Sequence, residues 1–363
     1  MSFEEQLTEI QNNMQNPPYK NLVLCGGGVL GIAFCGALEE LRQRGLLHGI
    51  KNYAASSAGS IIAGALACGA TYNFLSRELS EVNFSDFIDY GNRFKAVYNL
   101  YYYNGICSGD AFLNWYGDIL EKLTGNSDIT LNEIHEKFGG RLAITATSLN
   151  TRKTIYFDYR SHPDLQLKMA VRMSMSIPML FMPVEYIDDV FVDGGVLDNF
   201  PMHAFHRENS DKINPKTLGL LLTTTMEETE CVKTTGFWSI IDSLYSCYIA
   251  QTQKMYMDPQ DWDRTIKISC GKVSSFNFYI DNVTKTQLVE AGKSAVCEHF
   301  NTKQHTTQGK FLDIVNTIHT GYSPDDEKTP VNTPSGLPKS NPIIIQYPQL
   351  KKLNNLDYVN YIK

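Results

Sequence analysis

Three short segments of this chain combine residue types that suit acyl-transfer chemistry: Gly26-Gly27-Gly28-Val29-Leu30-Gly31, Ala55-Ser56-Ser57-Ala58-Gly59 and Asp193-Gly194-Gly195. A serine hydroxyl becomes a good nucleophile only when a neighbouring base takes its proton. Small flanking residues allow a sharp strand-to-helix turn that lifts the serine Oγ clear of the backbone. Ala55-x-Ser57-x-Gly59 has that register, so Ser57 is the candidate nucleophile and Ser56 its rival. A plain N-capping serine is the competing reading. The glycine loop can turn backbone N–H groups towards a developing oxyanion, helped by the positive end of the following helix. Its plainer reading is a tight strand–helix turn.

The same loop also fits a G-x-G-x-x-G dinucleotide fingerprint, which needs an acidic residue about 20 positions further on to hold the ribose. No Asp or Glu occurs between Glu40 and Glu78, so that reading fails. For the base, histidine is the usual choice. The eight histidines are His48, His135, His162, His203, His206, His299, His305 and His319, and none stands in a recognisable base motif. His203 and His206 follow Asp193 most closely, and a surface helix accounts for both. Asp193 itself ends an apolar run on a paired-glycine turn, where a carboxylate can face a cleft. A solvated turn carboxylate, like Asp188 and Asp189, is the alternative.

The elements around these residues alternate. Asn21 to Cys25 reads as a buried strand, Ile32 to Arg44 as a helix closed by Gly45, Asn52 to Ser56 as a second strand, and Ala58 to Cys68 as a second helix ended by Gly69. Strand–turn–helix repeated in this way predicts an α/β fold with a central, mostly parallel sheet. Both turns lie at C-terminal strand ends, the edge where open α/β sheets hold their sites. Further strands are expected at Leu142 to Ser148, Thr154 to Phe157 and Leu218 to Thr223, with a hairpin over Val184 to Ile187 and Val190 to Val192. Helices are expected over Gly236 to Met255 and Lys285 to Phe300. Beyond Asn301 the composition turns to Thr, Pro, Ser and Lys, predicting a loose tail with a short strand at Ile343 to Ile345.

Of the 363 residues, 43% are hydrophobic and 20% charged, enough for a substantial core. The net charge of −7 and the lack of any basic block argue against nucleic acid as a partner. They also argue against a purely electrostatic hold on anionic lipid. The eight cysteines, at 25, 35, 68, 107, 231, 247, 270 and 297, form neither a CxxC pair nor a Cys/His metal pattern, and read as buried free thiols. The polar start, MSFEEQLTEIQNNMQNPPYK, reads as neither signal peptide nor anchor, and no apolar run approaches the roughly 20 residues of a membrane helix. A cytoplasmic protein is expected.

The order of the three segments resembles the patatin-like phospholipase family, whose marks are a G-G-G-x-x-G loop, G-x-S-x-G and D-G-G or D-G-A. Met173 to Pro178, Phe181 with Pro183-Val184, and Asp193 to Pro201 are similar to the family's approach to its aspartate, and Asp263 to Phe300 is similar to its closing strand and helix. Two positions depart from the pattern. Leu30 stands where the family usually has Arg or Lys, and Ala55 replaces the first elbow glycine.

The resemblance implies a three-layer fold in which helices flank the sheet. It would give a family domain over 20–302 with the motifs in about 20–204, after a polar segment 1–19 and before a tail 303–363. It further implies a phospholipase A or lysophospholipase type of acyl hydrolase. Asp193 would act as base for Ser57, and Gly26, Gly27, Gly28 and Ala58 would form the oxyanion hole. Gly31, Gly59, Gly194 and Gly195 would shape the turns. No metal or cofactor enters that chemistry. The partners would be a phospholipid or other acyl lipid and, transiently, a membrane surface. Leu100 to Tyr103 is the better landing surface, because Tyr suits a half-wet interface. The set Phe237, Trp238, Ile241, Leu244 and Tyr248, at i, i+4, i+7 spacing, reads as core. A Ser–His–Asp esterase using His203 or His206, and an inactive lipid-binding relative, are the competing functions.

Overall fold

The computed structural model describes residues 3–206, 213–224, 240–241, 243–249 and 257–320. The chain divides into a unit of residues 1–307, which holds the sheet, and a second of residues 308–363. The principal elements open with α1 (Phe3–Gln15), β1 (Asn21–Leu24), α2 (Ala33–Gln43), β2 (Asn52–Ser56) and α3 (Ala58–Ala67). Next come α4 (Tyr72–Glu81), α5 (Arg93–Tyr103), β3 (Gly105–Cys107), α6 (Asp110–Thr124) and α7 (Leu131–Phe138). Then follow β4 (Leu142–Ser148), β5 (Lys153–Phe157), α8 (Leu167–Ser174), β6 (Met179–Phe181), β7 (Val184–Tyr186) and β8 (Asp189–Asp193). Strands β9 (Thr217–Thr223) and β10 (Thr265–Ser269) precede a helix over Asn282–Thr320.

These form a mixed sheet flanked by helices, in the order β10-β9-β1-β2-β4-β8-β7, with β5 also paired to β4. The five strands from β10 to β4 run parallel, while β5, β8 and β7 are antiparallel to their neighbours. Parallel strands covered on both faces need unbroken apolar runs. NLVL in β1 and LAIT in β4 supply them, and every residue of both strands is buried. Helix α3 packs on β1, β2 and β4, and α8 on β4 and β8. A smaller sheet pairs β3 with β6.

Two expected boundaries move. The first helix begins as a 3-10 turn over Gly28–Ile32 and becomes α-helical only at Ala33. The last helix spans Asn282–Thr320, well past Phe300. Thr, Asn and Gly309 lower helix propensity there, but no proline interrupts the backbone ladder before Pro324. This helix crosses α2 backbone to backbone: a Cβ at Gly36 would strike the Val289 carbonyl, and one at Gly292 the Ala33 carbonyl. Of the helix expected over 236–255, residues 240–241 and 243–249 are described and helical; the rest, and the strand at 343–345, lie outside the described residues.

Candidate active site

The register around β4 brings Ser57 and Asp193 together. Along one edge of β4, β2 pairs parallel as far as Ser56 opposite Thr145. On the next residue β8 takes over antiparallel, with Asp193 opposite Ala146. Two strands from distant parts of the chain therefore meet end to end, each pointing its C-terminus at the other. Ser57 follows directly on β2, and Asp193 is the last residue of β8. The Ser57 Oγ donates to Asp193 Oδ2 at 2.6 Å across 136 residues of sequence.

Ser57 has φ 47° and ψ −127°, a backbone conformation that a residue with a side chain rarely adopts. It stands at the N-cap position of α3, but its side chain makes no capping bond. The hydroxyl makes no cap bond and faces the carboxylate instead. The strained turn is held from both sides: Ser57 N–H donates to Ser174 Oγ at 2.8 Å, and Ser60 N–H to the Ser57 carbonyl at 2.8 Å. Gly59 lets α3 start directly against β1, since a Cβ there would lie 2.6 Å from the Leu24 and Cys25 carbonyls. Ala55, in place of the first elbow glycine, is wholly buried in β2.

Asp193 is 0% exposed, so it is no solvated turn carboxylate. Burial pushes its carboxyl up to about 6, against the opposing pull of bonds from Ser57, the Gly195 N–H at 2.7 Å and the Tyr245 hydroxyl at 3.0 Å. Both of the latter reach Oδ1, leaving Oδ2 to Ser57. The backbone is pinned as well: Asp193 N–H donates to the Ser176 carbonyl at 2.9 Å. Burial and the adjacent carboxylate hold the Tyr245 phenol well above its ordinary value, so it remains a donor.

The glycine loop lies against this pair, and one expected donor is corrected. Gly26 N–H already donates to the Asn199 carbonyl at 3.0 Å, so Gly26 shapes the loop instead of serving an oxyanion. No hydrogen-bond acceptor among the described residues takes the N–H groups of Gly27, Gly28 or Ala58. Gly28 has φ 55°, and a Cβ on it would strike the Ser275 carbonyl, which accepts Val29 N–H at 3.1 Å. Gly31 abuts Ala58, while Gly194 and Gly195 leave room for Thr145 and for Asn199 with Tyr245. Leu30, where the family carries a cation, is 2% exposed in the core, and an apolar residue suits that place.

Sequence reasoning missed three supporting groups. Asn199 clasps the loop from both directions, because its Nδ2 also donates to the Gly26 carbonyl at 3.3 Å. Its position six residues after Asp193 was the available signal. Ser174 lay in the serine-rich run before Pro178. Tyr245 had no signal at all. The helix expected to be core is only partly so: Ile241 is half-buried, but Leu244 is 62% and Tyr248 42% exposed. Ile241 and Tyr245, at i and i+4, share the inward stripe, and Leu244 and Tyr248 form the stripe beside it. Phe237 and Trp238 lie outside the described residues.

His203 is engaged elsewhere. Its Nε2 lies 2.5 Å from Tyr156 Oη and 3.4 Å from Asp198 Oδ2, on a short 3-10 turn over Met202–Phe205 that His206 closes. Neither sits on the surface helix expected for it. Among the described residues no group of three or more His, Cys, Asp or Glu is placed to hold a metal ion, and no helix is long and apolar enough to cross a membrane. Helix α5 is a different kind of surface: Phe94 is 89%, Val97 69% and Tyr101 78% exposed.

The family profile described as patatin-like phospholipase matches residues 22–206. Protein R571 of Acanthamoeba polyphaga mimivirus is 30% identical over 289 residues, covering 76% of this chain and 92% of that one. A protein of Invertebrate iridescent virus 6 named probable lipid hydrolase 463L is 28% identical over 222 residues, covering 58% of this chain and 71% of its own. Among solved structures, VipD from Legionella pneumophila shares the fold with a TM-score of 0.55 at 18% identity, over 79% of this chain and 67% of that one.

Proposed function

The chain belongs to the patatin-like phospholipase family, and from that premise we propose that it cleaves fatty acyl esters of lipids with Ser57 as nucleophile and Asp193 as base. The observation that carries this reading is the 2.6 Å bond from Ser57 Oγ to a fully buried Asp193. Asp193 takes the Ser57 proton as Oγ attacks the ester carbonyl. The alkoxide so formed faces the N–H groups of Gly27, Gly28 and Ala58, each able to contribute about 3 kcal/mol to the transition state. Asp193 then returns its proton to the departing alcohol. In the second half it takes a proton from water, whose oxygen attacks the acyl-enzyme, and gives that proton back to Ser57 as the fatty acid leaves.

Raising the carboxyl to about 6 brings the base nearer neutral pH, where a proton acceptor is more effective. The substrate class is a phospholipid, a lysophospholipid or a related acyl lipid at a membrane surface. The exposed rings of α5 support a landing surface there, since a contiguous apolar patch of that kind marks a contact site. A fluorophosphonate probe tests the assignment, with peptide mapping of the adduct. Labelling at Ser57 is expected, and it should disappear in Ser57→Ala. An adduct at Ser56 or elsewhere overturns it.

A further inference from the structure

The rings of α5 are arranged among themselves. Tyr98, Tyr101, Tyr102 and Tyr103 are each more than half exposed. The Tyr98 ring lies 4.6 Å from that of Tyr102, tilted by 39°, and 6.1 Å from that of Tyr103, tilted by 65°. Tyr101 meets Tyr102 edge-on, 5.0 Å away at 79°. A parallel stack would hide its inner faces, whereas rings splayed at these angles leave an open corner of π faces, which carry partial negative charge. Protein cations lie over rings elsewhere, as Lys267 does over Trp262 at 4.3 Å, but among the described residues none lies over these four. The helix has no acidic residue, and no Asp or Glu occurs between Asp89 and Asp110. Arg93 and Lys95 are its charged residues, and neither is ion-paired among the described residues. Lys95, Tyr98 and Tyr102 stand at i, i+3 and i+7, on one stripe of the helix. About one turn, roughly 5 Å of rise, separates the cation from the first ring.

We infer that this stripe binds the phosphocholine headgroup of membrane phospholipid, with the quaternary ammonium in the tyrosine corner and the phosphate at Lys95. The inference rests on the reading of α5 as the landing surface and is independent of the dyad. A quaternary ammonium is weakly hydrated and presents methyl groups on every side, which suits it to ring faces. The primary ammonium of ethanolamine is compact and holds water strongly through its N–H donors, and α5 offers no carboxylate in exchange. A wholly anionic headgroup satisfies Lys95 but not the rings, and it meets a chain of net charge −7. The short ethylene link between phosphate and ammonium of choline matches a cation and a ring one turn apart. Burial of apolar ring surface gives α5 its hold on any bilayer; the corner makes it prefer a choline surface.

Vesicles of ether-linked lipids test this, because they carry no acyl ester and report binding without hydrolysis. Co-sedimentation of the full chain is compared on pure phosphatidylcholine and on vesicles in which ethanolamine lipid of the same chains replaces about four-fifths of it. The native protein should bind the choline vesicles about threefold more tightly, and Ser57→Ala should match it. Tyr98→Leu with Tyr102→Leu keeps apolar surface but removes the rings, and should bind the two vesicles equally. Tyr98→Phe with Tyr102→Phe keeps the ring faces and should keep the preference. Lys95→Gln should weaken binding to both vesicles alike, since both carry phosphate. Melting curves establish that each variant is folded. Equal binding of both vesicles by the native protein, or a preference that survives in the leucine pair, overturns the headgroup assignment and leaves α5 as a plain apolar landing surface. Failure to bind either vesicle overturns the landing reading as well. A choline preference in a protein without ester hydrolysis would instead count against the dyad and leave this inference standing.

Discussion

Helices α3 and α5 differ in almost every respect although each abuts a short strand. Eight of the ten residues of α3 are buried, and they are Ala, Gly, Ser and Ile. Only Asn99 is buried among the eleven of α5, which carries one Phe and four Tyr. Small side chains let α3 approach β1 until backbone touches backbone, which fixes the Ser57 turn and the N–H of Ala58. Large rings keep α5 away from close packing, and its Tyr98 and Tyr102 rings lean on one another instead, tilted by 39° with centroids 4.6 Å apart. Exposed rings forgo about 25 cal/mol for each Å² of apolar surface left in water. Under the proposed function, fixed geometry and unburied apolar surface would serve two different steps, one aligning the reacting atoms and the other meeting the lipid.

The comparison breaks if variants on the two helices have the same phenotype. The largest effect is expected at the dyad: Ser57→Ala and Asp193→Asn should each lower turnover by about 10⁴-fold or more on soluble and vesicle substrates alike. Asp193→Asn should also melt higher at pH 8. The native carboxyl, raised to about 6 mainly by burial, binds its proton more tightly than an unfolded one near 3.9, so folded stability falls as pH rises through that window. The gain is roughly 2–3 kcal/mol at most and should vanish near pH 4, where the native carboxyl is protonated. A gain over the native protein that is the same at pH 4 and pH 8 would contradict a desolvated base.

Next in size, Phe94→Ser with Tyr101→Ser should lower hydrolysis of vesicle phospholipid roughly tenfold or more, from the lost ring burial. Butanoate ester hydrolysis by that double variant should stay within about twofold of native, as α5 holds no site group. Equal losses on both substrates would make α5 part of the site's framework. Tyr245→Phe should cost a few-fold to about tenfold in kcat, because Asp193 Oδ1 keeps the Gly195 N–H. Since the phenol's bond lowers the Asp193 value, its removal should move the acid limb of the rate profile to higher pH. An unmoved limb would reduce Tyr245 to packing. The smallest effects are expected from His203→Ala and from EDTA on the soluble ester, each within about threefold. A collapse in either would favour a histidine base or a metal.

Much of this was legible because it follows from local rules. Paired glycines after an apolar run, and a small-residue turn before a buried helix, announce their backbone conformations directly. The strands β1, β4 and β9 are short, mostly apolar runs with little competing reading. What sequence could not show was which backbone groups were already taken. Gly26 is chemically equal to Gly27 on paper, and only the return of Asn199 to the loop separates them. Tyr245 lies on a helix read as core from its spacing, and no periodicity marks a hydroxyl that reaches a carboxylate 52 residues earlier.

The end-to-end meeting of β2 and β8 on β4 has a consequence for when the protein acquires its activity. Synthesis delivers the serine turn first, with its strand, its helix and the glycine loop. The base arrives only when the chain reaches residue 193, and the loop's clasp at Asn199 six residues later. A growing chain that stops short of β8 can pair β1, β2 and β4, yet it presents a serine without a proton acceptor. If the dyad assignment holds, hydrolytic power does not accumulate gradually along the polypeptide. It switches on late, with one strand pairing, so that truncated or half-made chains should leave membrane lipid untouched.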